Sequence, residues 1–442
     1  MNAADPPIKS SPTPSFERVL PRPELPQGPF LVVGLARSGQ AAAQMLVSRG
    51  TEVFGVDSGT PHDSETLGDF GIEAHLASDG LDLVDRVQTV IKSPGVPEHA
   101  PVIVAAKQAG KTILGELELG WRLIDNPVIA VTGTNGKTTT TTLLGAIYEA
   151  ADLPYELAGN IGTPLCALAA GIDPDATVIC EVSSFQLDDA DAFTPECGVL
   201  LNVTEDHMDR YESFASYRDS KLSMFARQGP GQFAISGPAI DFDLPGGGFK
   251  ARVLSEGFEN NGAIAMRGRH NIDNALTAAH AALLMGVDPA AVESALATFA
   301  GVEHRMEFVG TVDGVEYIND SKATNVDAAL AALASFDGDV HVILGGSVKN
   351  QRFDGLAEAL SRASAGVYAY GDAAPVIARD VEGLAAPFQS FATMDEAFSA
   401  AASNATSGQT VLLSPACASF DLYDNYERRG EAFKAHVAAL PR

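Results

Sequence analysis

Residues 128–142 read VIAVTGTNGKTTTTT: an apolar run after Pro127, a glycine-bearing turn, then a helix-forming stretch that continues through LLGAIYEA. Few folds accept that order. An apolar run without polar alternation reads as a buried strand of a parallel sheet, which is covered on both faces. Parallel strands need crossover connections, so this one stretch selects an α/β architecture. The turn has a chemistry of its own. Where a strand enters a helix through glycines, backbone N–H groups and the positive end of the helix dipole converge on one point that suits a polyphosphate. On this reading Gly133, Thr134, Asn135 and Gly136 form the cradle, Lys137 meets the β/γ-phosphates, and Thr138 holds Mg²⁺, with Thr139 next in the helix. Position 131 is Val where a full Walker A loop has Gly, so a plain strand-to-helix turn is the alternative.

The 442 residues suggest two or three domains, each long enough to bury a core. A net charge of −28 argues against non-specific binding to nucleic acid or anionic membranes, so any anionic substrate must be gripped by a few local cations and helix N-termini. Four Cys without a CxxC pair fit a reducing, cytoplasmic setting better than a disulfide framework or zinc site. No apolar run approaches a membrane span. Residues 1–27, rich in Pro and Ser, read as a disordered tail.

Ordered structure is expected from PFLVVG at 29–34. Strand, turn LARSG, helix and strand EVFGVD make a βαβ unit ending at Asp57. The fingerprint is G-x-A-x-x-G, with Ala36 in place of the glycine that lets a backbone approach a pyrophosphate, which lowers the odds for NAD. Strand 89–96 ends in Ser93-Pro94-Gly95, at the carboxyl edge where open α/β sheets bind ligands. Residues 28–125 thus form a first domain, 126–301 a second and 302–442 a third. In the second, GNIG carries Asn160, and strand TVICEVSS ends near Glu181, a candidate Mg²⁺ ligand or a carboxylate paired with a base. TEDHMDRY contains His207, and the helix 216–228 contains Lys221, otherwise a solvated lysine. Asn271 and Asn274 share one helix face and could read a purine edge, although capping by Asn271 is a simpler role. The last third opens with the hairpin 305–320 and continues in α/β alternation.

The ordered set TGTNGKTTT, GNIG, EVSSFQL, NVTEDHMDRY, GRHNIDNALTA, EHRME, INDSKATN and SPACASFD resembles the Mur ligase family over residues 29–442. The resemblance implies three α/β domains on mainly parallel sheets: Rossmann-like, P-loop ATPase and again Rossmann-like. It implies ATP-dependent joining of D-glutamate to UDP-N-acetylmuramoyl-L-alanine by a cytoplasmic monomer that neither enters a membrane nor binds nucleic acid. It further implies two Mg²⁺ ions held by Thr138, Glu181, His207 and a carbamylated Lys221, and ATP contacts from Lys137, Asn271, Asn274, Arg305 and Asp320, with His304 and Lys322 beside them. Ser38, Asp57, Ser58, Ser93 and Pro94 would line the uridine diphosphate pocket; Asn160 and His207 would meet the muramoyl-alanine part. Thr324, Lys349, Ser419 and Phe420 would meet D-glutamate. Two departures stand out: Gly59 where relatives often have Arg, and NQRF after Lys349 where many relatives have Gly and Asp before the aromatic. A folylpolyglutamate synthase would share the ATPase core without needing a UDP domain. A dinucleotide-dependent oxidoreductase would be built on residues 29–125.

Overall fold

The computed structural model describes residues 19–206, 208, 210–266, 268–336, 338–348 and 352–441. Two compact units emerge: one from residues up to Ala263 together with Asp273–Ala297, the other from Ile264–Ile272 and Thr298 onward. The first unit contains two sheets and the second contains one.

The first sheet is formed by β1 (Phe30–Val33), β2 (Val53–Asp57), β3 (Glu73–Leu76), β4 (Thr89–Lys92) and β5 (Thr112–Gly115), all parallel, in the order β3-β2-β1-β4-β5. Helices α1 (Arg37–Ser48), α2 (Pro101–Gln108) and α3 (Glu116–Arg122) connect or follow its strands. The inner strand β1 is buried throughout while the edge strand β3 is not, which is why FLVV reads as an unbroken apolar run and EAHL does not. Gly39 in α1 has no room for a side chain, since a Cβ there would lie 1.8 Å from the Gly34 carbonyl oxygen. That close helix-to-strand approach is the role of the last fingerprint glycine.

The second sheet is also parallel: β6 (Val128–Thr132), β7 (Tyr155–Gly159), β8 (Thr177–Glu181), β9 (Cys197–Leu200), β10 (Phe233–Ser236) and β11 (Phe249–Arg252), in the order β11-β10-β9-β6-β8-β7. Between its strands run α4 (Lys137–Ala150), α5 (Leu165–Leu168), α6 (Ser184–Asp188) and α7 (Phe214–Ala226), and after them come α8 (Arg269–Leu284) and α9 (Pro289–Thr298). β6 lies in the middle, so its strand end opens at the centre of the sheet's carboxyl edge.

In the second unit, the hairpin of β12 (Glu307–Val312) and β13 (Val315–Asn319) is antiparallel as expected, and every other pairing in the sheet is parallel. Strands β14 (Val340–Gly345), β15 (Ser364–Tyr370), β16 (Phe388–Phe391) and β17 (Thr410–Leu413) complete the order β12-β13-β17-β14-β15-β16. Helices α10 (Val326–Leu333), α11 (Leu356–Ala363), α12 (Ala374–Asp380), α13 (Met394–Asn404) and α14 (Tyr426–Ala438) cover it.

The expectation of a free tail through residue 27 needs correction for its last part. The Arg22 side chain is buried: its guanidinium donates to both Glu196 oxygens at 2.8 and 3.0 Å and to the Asn126 carbonyl, and it lies 4.6 Å from the Trp121 ring centroid. Glu196 is fully buried and also accepts from the Val128 N–H at the start of β6. The segment is therefore a strap that satisfies a buried carboxylate, something Pro and Ser content cannot reveal. Arg22→Ala would strand that charge, and breaking a buried pair from one side costs about 3–5 kcal/mol. Because Trp121 is the chain's single tryptophan, denaturant unfolding followed by its fluorescence should show the loss as a lowered midpoint. An unchanged midpoint would mean that the strap contributes nothing.

Candidate active site

The turn between β6 and α4 is shaped by its glycines and by side chains from neighbouring elements. Gly136 has φ +87°, and a Cβ there would lie 2.5 Å from Oδ1 of Asn274, so the left-handed backbone and the approach of α8 both require glycine. Asn202 braces the turn from β9: the Asn135 N–H donates to its Oδ1 and its Nδ2 donates to the Asn135 carbonyl, each at 2.9 Å. The Thr134 hydroxyl accepts from the Thr204 N–H at 3.0 Å and lies 3.1 Å from the Tyr217 hydroxyl. Asn202 and Tyr217 were not singled out from the sequence, since their roles depend on strands and helices brought together by the fold.

Two amines converge on one carbonyl. Lys137 Nζ donates to Gly133 O at 2.9 Å and to Thr134 O at 2.8 Å, and Lys221 Nζ, from α7, donates to the same Gly133 O at 3.0 Å. Lys221 is only 1% exposed and sits 4.4 Å from the Tyr217 ring centroid. It is not a solvated helix lysine. Burial, and after it the charge of Lys137, push its amine down to about 6.

Glu181 ends β8, beside β6, with Val131 as its registered neighbour. Its Oε1 accepts from Asn160 Nδ2 at 2.7 Å, and the Asn160 N–H donates to its carbonyl at 2.9 Å. The alternative of a base partner is replaced by this amide. Oε2 is buried and has no hydrogen-bond partner among the described residues. An unpartnered buried carboxylate oxygen is costly, and a hard cation at that point would resolve it. The Glu181 carboxylate therefore fits a hard cation such as Mg²⁺. The Thr139 hydroxyl is likewise buried without a partner.

A cavity of about 940 Å³ opens along the carboxyl edges of both sheets of this unit. Ser38, Asp57, Ser58, Ser93 and Pro94 all line it from the first sheet, while Asn160 and Gln186 line it from the second. Asp57 shapes the wall: its Oδ2 accepts from the Leu35 N–H at 2.7 Å and its Oδ1 from the Gly59 N–H at 2.8 Å. Asn160 thus touches both the cavity and the carboxylate next to the phosphate loop. Gln186 and Arg37, also in the lining, were missed because helix-start residues carry no local signal of the pocket they face.

In the second unit, Asp320 is buried, with Oδ2 accepting from the Ser414 hydroxyl at 2.9 Å and Oδ1 from the Met306 N–H at 3.1 Å. Burial raises its carboxyl to about 6 against the pull of Arg305. The Lys322 N–H donates to the His304 carbonyl at 3.0 Å, the Thr324 N–H donates to Lys322 O, and Ser419 is buried beside the exposed Phe420. Arg429, fully buried in α14, ties these loops together: it donates to Ser321 Oγ and O at 2.9 and 2.8 Å and to Cys417 O at 3.0 Å. Read from sequence, an arginine in a terminal helix looks solvated. Asn271 is buried as the third residue of α8, whose first residue is Arg269, so it does not cap the helix. His207, Lys349 and the NQRF departure at 350–351 lie outside the described residues.

Comparison with known proteins sharpens this picture. The Mur ligase middle domain is matched over residues 131–241, the Mur ligase glutamate ligase domain over 304–417, and the MurD-like N-terminal domain over 29–115. The UDP-N-acetylmuramoylalanine--D-glutamate ligase of Pelotomaculum thermopropionicum is 38% identical, covering 93% of this chain and 98% of its own length. The chain belongs to the Mur ligase family. A second ligase of the same name, from Acidobacterium capsulatum, is also 38% identical, over 94% of this chain and 97% of its own. Among solved structures, this Mur ligase shares its fold with the UDP-N-acetylmuramate-alanine ligase MurC of Thermotoga maritima at a TM-score of 0.58 and 18% identity, covering 93% of this chain and all of that one. The MurF ligase of the same organism, solved with ADP, gives 0.57 at 15% identity over 89% and 91%. The expected architecture of three mainly parallel sheets is thereby borne out. Among the described residues no helix is long and apolar enough to cross a membrane.

Proposed function

We propose that this Mur ligase uses ATP to join D-glutamate to the carboxylate of UDP-N-acetylmuramoyl-L-alanine, a cytoplasmic step in peptidoglycan precursor synthesis. One observation carries the reading: Asn160 lines the two-sheet cavity and holds Glu181 beside the phosphate loop, linking a nucleotide-sugar pocket to a phosphoryl-transfer site. The name shared by relatives 38% identical over nearly the whole chain supports it.

A carboxylate is a poor acyl donor because oxide would have to leave, so the alanyl carboxylate must first attack the γ-phosphorus of ATP, releasing ADP and giving an acyl phosphate. The D-glutamate amine then attacks the acyl carbon, and phosphate leaves as the amide forms. The first step brings two anions together. Lys137 grips the transferred phosphate, Asn160 orients the alanyl carboxylate, and the cradle N–H groups of Gly133–Gly136 receive the remaining phosphate charge. Thr138, Glu181, His207 and carbamylated Lys221 would hold two Mg²⁺ ions, whose chemistry is to offset the repulsion between the two anions. Asn271, Asn274, Arg305, Asp320 and Lys322 would serve ATP, and His304 beside them would serve the substrate. Ser38, Asp57, Ser58, Ser93 and Pro94 bind the uridine diphosphate.

Thr324, Lys349, Ser419 and Phe420 form the amino-acid site. A pocket built from an ammonium and two hydroxyls penalises ligands that leave those groups unpaired, so rejection of a side chain without a carboxylate should reach about 10²-fold or more. Phosphate release from ATP, Mg²⁺ and UDP-N-acetylmuramoyl-L-alanine, measured across single amino acids, should rise only with D-glutamate. Turnover driven better by lysine or diaminopimelate would reassign the amino-acid site, and none with any amino acid would remove the proposed activity.

A further inference from the structure

Lys92 is the last residue of β4, directly before Ser93 and Pro94 in the cavity wall. Its ammonium is buried and reaches two carboxylates, Oδ2 of Asp189 at 2.7 Å and Oε1 of Glu98 at 2.9 Å. These partners do different things. Glu98 stands between the lining residues Pro97 and His99 with its side chain half exposed, so the Lys92–Glu98 contact ties the two ends of the wall stretch Ser93–Pro97 together, and Lys107 of α2 also pairs with Glu98. Asp189 instead follows α6 of the second sheet, the helix that presents Gln186 to the same cavity. The Asp189 carbonyl further accepts from the Gly115 N–H at the end of β5, at 2.7 Å. α6 in turn is fastened toward the phosphate site: the Ser184 carbonyl accepts from the hydroxyl of Ser220, the neighbour of Lys221, at 2.9 Å, and Asp188 accepts from the Tyr211 hydroxyl at 2.6 Å.

We infer that Lys92 is a positioning residue with two separable arms: its contact with Glu98 shapes the nucleotide-sugar wall, and its contact with Asp189 sets that wall's distance from the phosphoryl-transfer site. The inference rests on the function proposed above. Two subsites on different sheets must be held in register for the alanyl carboxylate to meet the γ-phosphate, and a misplacement of about 1 Å can cost roughly 10²-fold in rate. Burial lifts the Asp189 carboxyl to about 7 with Lys92 opposing it, while the exposed Glu98, against partial desolvation, is held at about 2 by Lys107 and Lys92.

The test uses the full chain and two isosteric variants, each leaving Lys92 one carboxylate. Glu98→Gln should weaken UDP binding by calorimetry about 5- to 20-fold, with kcat at saturating acceptor nearly unchanged. Asp189→Asn should leave the UDP affinity within about twofold and lower kcat about 10- to 100-fold, with ADP binding unaltered. A purely structural ion pair would move only the melting midpoint. Variants that shift only the midpoint, or that change affinity and kcat alike in both, overturn the inference while leaving the ligase reading intact. A wild type that neither binds UDP nor releases phosphate overturns both.

Discussion

Lys137→Ala should lower kcat for phosphate release about 10²- to 10³-fold while leaving UDP affinity within about twofold. The magnitude follows from losing a charge-assisted contact at the transferring phosphoryl group, where a preorganised cation acts on charge as it develops. The selectivity follows from placement: the phosphate turn belongs to β6 and α4, and the residues proposed to hold uridine diphosphate, Ser38, Asp57, Ser58, Ser93 and Pro94, belong to the domain of the first sheet. A second consequence reaches Lys221. Its amine is depressed by burial first and by Lys137 second, so removing the Lys137 charge relieves part of that depression and leaves more of Lys221 protonated. The variant therefore loses a phosphate contact and also biases the neighbouring amine toward its unreactive form. Retention of more than about a tenth of the wild-type kcat would remove Lys137 from the phosphate site.

Legibility in the sequence tracked how local each signal was. TGTNGKT was readable because strand, turn, cation and hydroxyl are contiguous, and inner strands such as FLVV and VHVILG were readable because burial on both faces leaves an unbroken apolar run. β16 was not: FQSF is a half-exposed edge strand with only a short, mixed pattern. Arg22 escaped notice because its partner Glu196 is 174 residues away. Arg429 escaped for the same reason, its acceptors being carbonyls of loops that the fold gathers around α14. Glu181 was visible as a carboxylate at a strand end, but whether it met a base or an amide depended on GNIG folding back beside it. Lys221 shows the limit most clearly. Within α7 it looks like any surface lysine, and only the resemblance pointed to it; the Gly133 carbonyl and the Tyr217 ring that bury it come from other parts of the chain or another turn of the helix.

Lys221→Ala should abolish ligation, and a short carboxylic acid in the buffer should restore part of it. The geometry motivates this: a buried amine shares the Gly133 carbonyl with Lys137 beside the phosphate turn, where its own charge is disfavoured. Carbamylation converts it to an anion with two oxygens, as the amine nitrogen bonds the carbon of CO₂ and loses a proton. Only the neutral amine reacts, and depression from 10.5 to about 6 makes that form dominant near pH 7. The sign of the linkage follows. Between about 6 and 10.5 the unfolded chain holds a proton at Lys221 that the folded chain does not, so the uncarbamylated protein gains stability as pH rises through that window and loses it as pH falls. Carbamate occupancy should likewise drop as pH falls toward 6, and stripping CO₂ should weaken the wild type at constant pH. Labelled bicarbonate gives a readout independent of turnover, a carbamate carbon resonance present in the wild type and missing from Lys221→Ala. Absence of that resonance in the wild type, together with a variant of normal activity, would leave Lys221 as a buried structural amine.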